Sequence, residues 1–228
     1  MKIIRLFNEL LGTYGDRGNA EILQYRLAAR NIDCEIIDIS YNQKIPTDGD
    51  FYLIGGAEDK AQILASKKIN ENKILKSISE EGKVILAVCA GYQILGESFY
   101  AQDEKHEGAR IFPIESTPGV GRMVGDLLLE TEFAGKLTGF ENHGGVTKYL
   151  DAKLRPFAKV IKGNGNGDKK VDGAIIRNTF GTYAHGPILA RNPKFADYLI
   201  SLAISSPITE LKDSISDQYY QARIKALS

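Results

Sequence analysis

The sequence is poor in the residues that staple small folds or hold metals. Only two cysteines, Cys34 and Cys89, and three histidines, His106, His143 and His185, occur among 228 residues. Two cysteines cannot make a disulfide framework, and no CxxC pair or mixed Cys/His cluster calls for zinc. An excess charge of either sign is also missing: Lys+Arg and Asp+Glu both number 29. With no basic excess and no long basic run, nothing electrostatic points to nucleic acid or an anionic membrane as the main partner. No stretch approaches the ~20 apolar residues that span a bilayer. Charge interrupts Met1–Leu10 too early for a secretion signal. The expectation is a cytoplasmic protein with reduced thiols, no membrane insertion, no metal and no cofactor. A GxxxxGK[ST] segment is lacking, so ATP chemistry is not expected of this chain itself. Linker-like stretches and repeats are absent too, which suits one domain over residues 1–228.

What is present is an alternation. Short runs rich in Ile, Val and Leu (Ile3–Phe7, Cys34–Ile39, Phe51–Ile54, Val84–Val88) read as strands. Between them lie helical patterns, at Ala20–Arg30 and from Gln62 to Ser79, with another helix starting near Gly91. Strand–helix alternation implies right-handed crossovers and a mostly parallel sheet. The second half reads as strands at Arg110–Ile114, Met123–Glu130, Phe157–Ile161 and Ala174–Thr182, some of them antiparallel. Lys162–Lys169, with three glycines, reads as a mobile hairpin tip rather than a phosphate loop. A helix is expected from Pro193 to about Ser205, and a last one opening at Ser206-Pro207.

The segment Ala87-Val-Cys-Ala-Gly-Tyr-Gln-Ile-Leu-Gly96 carries the chemistry. A buried strand ends at Val88, a helix follows Cys89, and small residues flank the thiol. This is the sequence form of a nucleophile elbow, which lifts a side chain above the carboxyl edge of a sheet. A small buried apolar cysteine is the alternative, and Cys34, with no collar of small residues, fits that reading. A cysteine nucleophile needs a base. His185, at the end of an expected strand, and His143, between glycine and asparagine, both qualify on their surroundings. His106 lies among charged residues and reads as a solvated loop residue.

The Cys89 segment resembles the G-x-C-x-G-x-Q motif of class I (triad-type) glutamine amidotransferases, with Ala87 in place of the first glycine. Tyr183-Ala-His185-Gly-Pro187 is similar to that family's general-base segment, so the resemblance assigns the base to His185. It also implies a three-layer, flavodoxin-like α/β fold with a mostly parallel central sheet and additional antiparallel strands. Gly55-Gly-Ala-Glu-Asp59 resembles the oxyanion loop, which implies Gly56 or Ala57, together with Ala90, as N–H donors to the oxyanion. Arg122 stands where the family holds the glutamine α-carboxylate, and read alone it would be a surface strand residue. Gln93, Asn142, His143 and Gly144 are implied to lie against bound L-glutamine. Gly12-Thr-Tyr-Gly-Asp-Arg-Gly-Asn19 resembles a segment of the cobyric acid synthase branch; alone it reads as a turn with Asp16 capping a helix.

One departure narrows the resemblance. Ordinary members carry Glu two positions after the base, where this chain has Pro187. That carboxylate fixes the tautomer and stabilises the imidazolium. The variant without it is similar to the GatD-type subunits of lipid II isoglutaminyl synthase. There the implied partner is a Mur ligase-like, ATP-dependent subunit of the MurT type, which forms a heterodimer and supplies the missing carboxylate. The implied acceptor of the ammonia is the α-carboxyl of D-glutamate in lipid II. Amidation of a corrinoid, hydrolysis of another small molecule and a non-catalytic binding role are the rival readings.

Overall fold

The computed structural model describes residues 1–13, 17–71, 73–212 and 214–228. Its first half runs β1 (Lys2–Leu6), α1 (Asn8–Leu11), α2 (Arg17–Ala28), β2 (Glu35–Ile39), β3 (Phe51–Ile54), α3 (Asp59–Asn70), α4 (Ile74–Glu80), β4 (Val84–Val88) and α5 (Ala90–Ile94). Then come β5 (Ser98–Ala101), β6 (Glu104–Glu107), β7 (Ile114–Thr131), β8 (Gly135–Tyr149), β9 (Ala158–Lys162), β10 (Val171–Asp172), β11 (Ala174–Ile176) and β12 (Thr179–Thr182). Helices α6 (Ile188–Arg191), α7 (Pro193–Ile204) and α8 (Ser214–Leu227) close the chain.

The central sheet has the order β11-β12-β4-β3-β1-β2. All its pairs are parallel except β11 with β12. Strand β4, Val-Ile-Leu-Ala-Val, is buried at every residue, as a strand covered on both faces must be. Register then fixes what meets at its carboxyl edge: Val88 faces Thr182 of β12, and Ala87 faces Ile54 of β3. Residues 55–57, Cys89 and the segment ending in His185 therefore leave three neighbouring strands on one edge, where parallel sheets bind their ligands.

A second sheet, β10-β9-β7-β5-β6 with β8 on β7, supplies the other wall. Its centre is the long β7–β8 hairpin, interrupted by a register shift between Pro118 and Met123. Aromatic packing ties it to the first layer. Phe133 stacks on Tyr198 of α7 at 4.6 Å and meets Phe157, Phe180 and Phe195. Truncating one such buried ring costs about 3–5 kcal/mol. Helices α2 and α7 are clamped by the Asp197 carboxylate, which takes two N–H bonds from Arg26 and one from Arg30.

Several sequence expectations need adjustment. Residues 110–113 are not a strand: the N–H groups of Ile111 and Phe112 both turn to the Leu95 carbonyl, and Pro113 has none to offer. His106 lies in β6, opposite Phe99, rather than in a loop. The helical pattern from Gln62 to Ser79 is split by Lys73, at φ 51°. Ala174–Thr182 folds into a hairpin turning at Arg177. The last helix begins at Ser214, not at Pro207. Asn142–Gly145 belongs to β8. Asp16, the expected helix cap, lies outside the described residues with Tyr14 and Gly15.

Candidate active site

Cys89 joins β4 to α5 at φ 54°, ψ −109°, a region that a residue with a β-carbon occupies at a cost of about 1–3 kcal/mol. The surroundings hold it there. Its N–H donates to the Thr182 carbonyl at 2.8 Å, and Gly91 N–H donates to the Gly55 carbonyl at 3.1 Å. Gly91 has to be glycine, since a β-carbon there would stand 2.5 Å from the Ile54 carbonyl oxygen. The motif's other small position tolerates its alanine: Ala87 is fully buried within β4.

The thiol faces a cavity of about 290 Å³, lined also by Ala57, Ala90 and Gln93. Arg122, Asn142, His143 and Gly144 of the hairpin form its other side, near the lower end of the ~300–1,000 Å³ typical of ligand pockets. Arg122 Nε donates to Asn142 Oδ1 at 2.6 Å. Gln93 lines the cavity with its amide engaged at both ends, donating to Tyr183 Oη (3.0 Å) and accepting from Gln62 Nε2 (2.8 Å). His143 is buried flat on the Tyr183 ring, with centroids 3.8 Å apart. Its Nδ1 donates to the Gly145 carbonyl at 2.9 Å, because a carbonyl can only accept.

Behind His143 lies a carboxylate that the sequence did not announce. Glu141, 1% exposed, stands 3.7 Å from His143 Nε2. It accepts the N–H of Asn164, the N–H of Gly165 and the Asn164 amide, at 2.9, 3.0 and 2.7 Å. Burial works to raise its pKa, but the nearby His143 and the bonds from Asn164 and Gly165 prevail and hold it below the ordinary value. The glycine-rich segment 162–169 is thus a cradle for Glu141 rather than a free tip. Gly165, at φ +56°, cannot be replaced without bringing a β-carbon within 2.5 Å of the Val171 carbonyl.

His185 follows β12 by three residues. Its backbone bridges Phe140 of β8 through two bonds of 3.0 and 2.8 Å, and it is 4% exposed. It lines a second cavity of about 240 Å³ with Phe140, Asn142, Gly186, Pro187 and Arg191. Asn142 borders both cavities. No Asp or Glu is among the described residues lining the second one. The segment after His185 is held by the described end of the N-terminal motif: a β-carbon on Gly18 would meet Pro187 Cγ at 2.4 Å, and Asn19 Oδ1 accepts the Leu189 N–H at 3.0 Å.

Residues 2–193 match the CobB/CobQ-like glutamine amidotransferase domain. The chain belongs to this family. It is 36% identical over 206 residues to the lipid II isoglutaminyl synthase (glutamine-hydrolyzing) subunit GatD of Staphylococcus aureus, covering 89% of this chain and 84% of that one. Identity to the subunit of the same name from Streptococcus pneumoniae is 31%, over 99% and 93% of the two chains. A solved glutamine amidotransferase shares the fold at TM-score 0.62 and 16% identity, covering 88% of this chain and 98% of that one.

In this amidotransferase the thiol, the hairpin residues and Ala57 come together around one cavity, while His185 borders the neighbouring one. Gly56, buried at the end of β3, is not among the lining residues. Sequence reasoning missed three buried polar residues packed behind these cavities. Tyr183 ties Gln93, Thr147 and the His143 ring together, and its place two residues before His185 was the available signal. Glu141 had none. Asp172 is fully buried beside the end of β12, accepting from the Thr182 hydroxyl at 2.5 Å and the Tyr183 N–H at 3.2 Å. Burial pushes its pKa up to about 6, against the pull of those two bonds and of His143. No group of metal-ligating side chains occurs among the described residues, and no described helix is long and apolar enough to cross a membrane.

Proposed function

We propose that this chain hydrolyses L-glutamine at Cys89 and passes the ammonia to an ATP-dependent ligase subunit. The observation that carries the reading is the strained elbow of Cys89 at the end of β4, beside the His185 segment at the end of β12. The Cys89 thiolate attacks the side-chain amide carbon of glutamine. Backbone N–H groups of Ala90 and of Gly56 or Ala57 take up the oxyanion's charge. His185 delivers a proton to the leaving nitrogen, and ammonia departs from a γ-glutamyl thioester. His185 then takes a proton from water as it attacks, releasing glutamate and restoring the thiolate. Arg122 holds the substrate α-carboxylate, for which its planar fork is suited. Gln93, Asn142, His143 and Gly144 shape the pocket around it.

The two relatives named GatD, matched along most of their length, support a narrower reading. The whole chain, 1–228, acts as one glutaminase domain in a cytoplasmic heterodimer with a Mur ligase-like, MurT-type subunit. The ammonia amidates the D-glutamate α-carboxyl of lipid II to D-isoglutamine. Pro187, where an orienting carboxylate is expected, favours an acid supplied by that partner. Ammonia release from glutamine is the test, measured on the chain alone and with a Mur-type ligase, with Cys89→Ala as control. Release that depends on Cys89 and rises with the ligase is expected. Equal release by the Cys89→Ala chain would refute the reading.

A further inference from the structure

A run of polar side chains starts and ends on the wall of the thiol's cavity, and its last hydroxyl keeps a hydrogen to give. Gln62, Gln93 and Ser116 all line that cavity. Gln62 Nε2 donates to Gln93 Oε1 at 2.8 Å, and Gln93 Nε2 donates to Tyr183 Oη at 3.0 Å. An amide nitrogen can only donate, so the tyrosine oxygen accepts there and its own hydrogen must go elsewhere. Burial pushes the Tyr183 phenol up to about 12, so that hydrogen is retained at neutral pH. It goes to Thr147 Oγ1, at 2.7 Å. Thr147 in turn donates to Ser116 Oγ, also at 2.7 Å. Ser116 stands opposite Thr147 in the β7–β8 register and is 2% exposed. Its oxygen accepts from Thr147, while its own hydrogen meets no acceptor among the described residues. Buried donors are nearly always satisfied, so one left open at a cavity wall points to a ligand atom that accepts.

We infer that the Ser116 hydroxyl donates to the α-carboxylate of bound L-glutamine, beside Arg122, and that Tyr183 and Thr147 are positioning residues that fix its direction. The inference rests on the glutaminase reading, which supplies L-glutamine as the occupant. Glutamine offers two kinds of acceptor, its side-chain carbonyl and its α-carboxylate. The carbonyl is committed to the N–H groups of the oxyanion hole. The α-ammonium has only hydrogens to give and cannot take one from Ser116. A carboxylate has lone pairs left after an arginine has bound it, and a hydroxyl bond to it is charge-assisted. The chain has little freedom to reverse, because Tyr183 is fully buried and stacked 3.8 Å from the His143 ring. Fully satisfied buried networks of this kind rigidify the site they border.

Calorimetry on the Cys89→Ala chain, which does not consume glutamine, measures the bond. The probes are L-glutamine and glutaramate, which is glutamine without its α-ammonium. Adding Ser116→Ala should weaken L-glutamine about tenfold or more, the loss expected of a charge-assisted bond. Glutaramate should weaken by the same factor. Thr147→Val keeps the shape but gives Ser116 no hydrogen, so it should show part of that loss. With Cys89 present, iodoacetamide reaches the thiol without a carboxylate site, and its rate on the Cys89 peptide should be unchanged by Ser116→Ala. Slower alkylation would mark a merely structural role and overturn the inference. Equal glutamine affinity with and without the Ser116 hydroxyl, or a loss that disappears with glutaramate, overturns it too. An unchanged affinity in Thr147→Val overturns the part given to the chain. Ser116-dependent glutamine binding in a protein that never releases ammonia, even with the ligase, sinks the glutaminase reading alone. Cys89-dependent release with glutamine binding indifferent to Ser116 sinks the inference alone.

Discussion

Gly18 and Pro187 are in contact across 169 residues of chain, so close that a β-carbon on the glycine would lie 2.4 Å from the proline Cγ. The described end of the N-terminal motif, which reads in isolation as a turn, therefore supports the segment that follows His185. Asn19, buried beside it, satisfies the Leu189 N–H, and α6 starts from that contact.

Gly18→Ala is expected to destabilise by about 1–3 kcal/mol, the usual cost of forcing extra volume into a packed site. Pro187→Ala removes the atom that clashes. The double variant should then be more stable than the sum of the two single changes by about 0.5 kcal/mol or more. Denaturant melts of the four proteins measure the coupling, and strict additivity would mean that the contact does not matter.

At Cys89 the usual ranking of small residues should invert. Alanine normally outranks glycine within regular structure by roughly 0.5–1 kcal/mol. Cys89, at φ 54° and ψ −109°, occupies backbone space that only glycine enters freely. Cys89→Gly is therefore expected to melt higher than Cys89→Ala, with ammonia release abolished in both. A lower melting temperature for the glycine variant would refute the strain.

Arg122→Ala should raise KM for glutamine by about tenfold or more, as loss of a charge-assisted bond implies, with a smaller effect on kcat. Arg122→Lys should recover little, because an ammonium cannot offer the paired fork. Steady-state kinetics with the ligase present decide it. An unchanged KM in the alanine variant would remove Arg122 from the substrate site.

Asp172 gives the fold a pH signature. Its folded pKa, pushed up to about 6 from the ordinary 3.8, means the native state prefers the protonated acid. The stabilisation is complete below about pH 4 and is lost as pH rises through about 6. It amounts to roughly 3 kcal/mol across that window. Asp172→Asn keeps the shape and removes the titration. The melting temperature of the variant relative to the parent should therefore climb between pH 4 and 7. Parallel curves over that range would show that Asp172 does not titrate there.

Much of this was legible in the sequence because the signals were local. The collar around Cys89 and the run Val84–Val88 declare a buried strand and a sharp turn, and Pro193 marks the start of α7 where the structure has it. Glu141 and Asp172 could not be read, since their burial depends on residues more than twenty and ten positions away respectively. Nor could the true extent of β8. Asn142–Gly145 has two glycines and a weak strand pattern, and only its pairing with β7 makes it a strand. The glycine segment 162–169 looked mobile because its anchor, a buried carboxylate, lies in another element.

Asn142 borders both the thiol's cavity and the one beside His185, while also accepting from Arg122. A glutamine that draws Arg122 toward its own carboxylate competes for that bond, and a group entering beside His185 presses on the same side chain from behind. The two binding events share one hinge of amide, so each is expected to change the affinity of the other. Thermodynamic reciprocity then makes the factors equal: however much the partner tightens glutamine, glutamine tightens the partner. A nitrogen donor built this way would register fuel and neighbour through a single amide, whichever of the two arrives first.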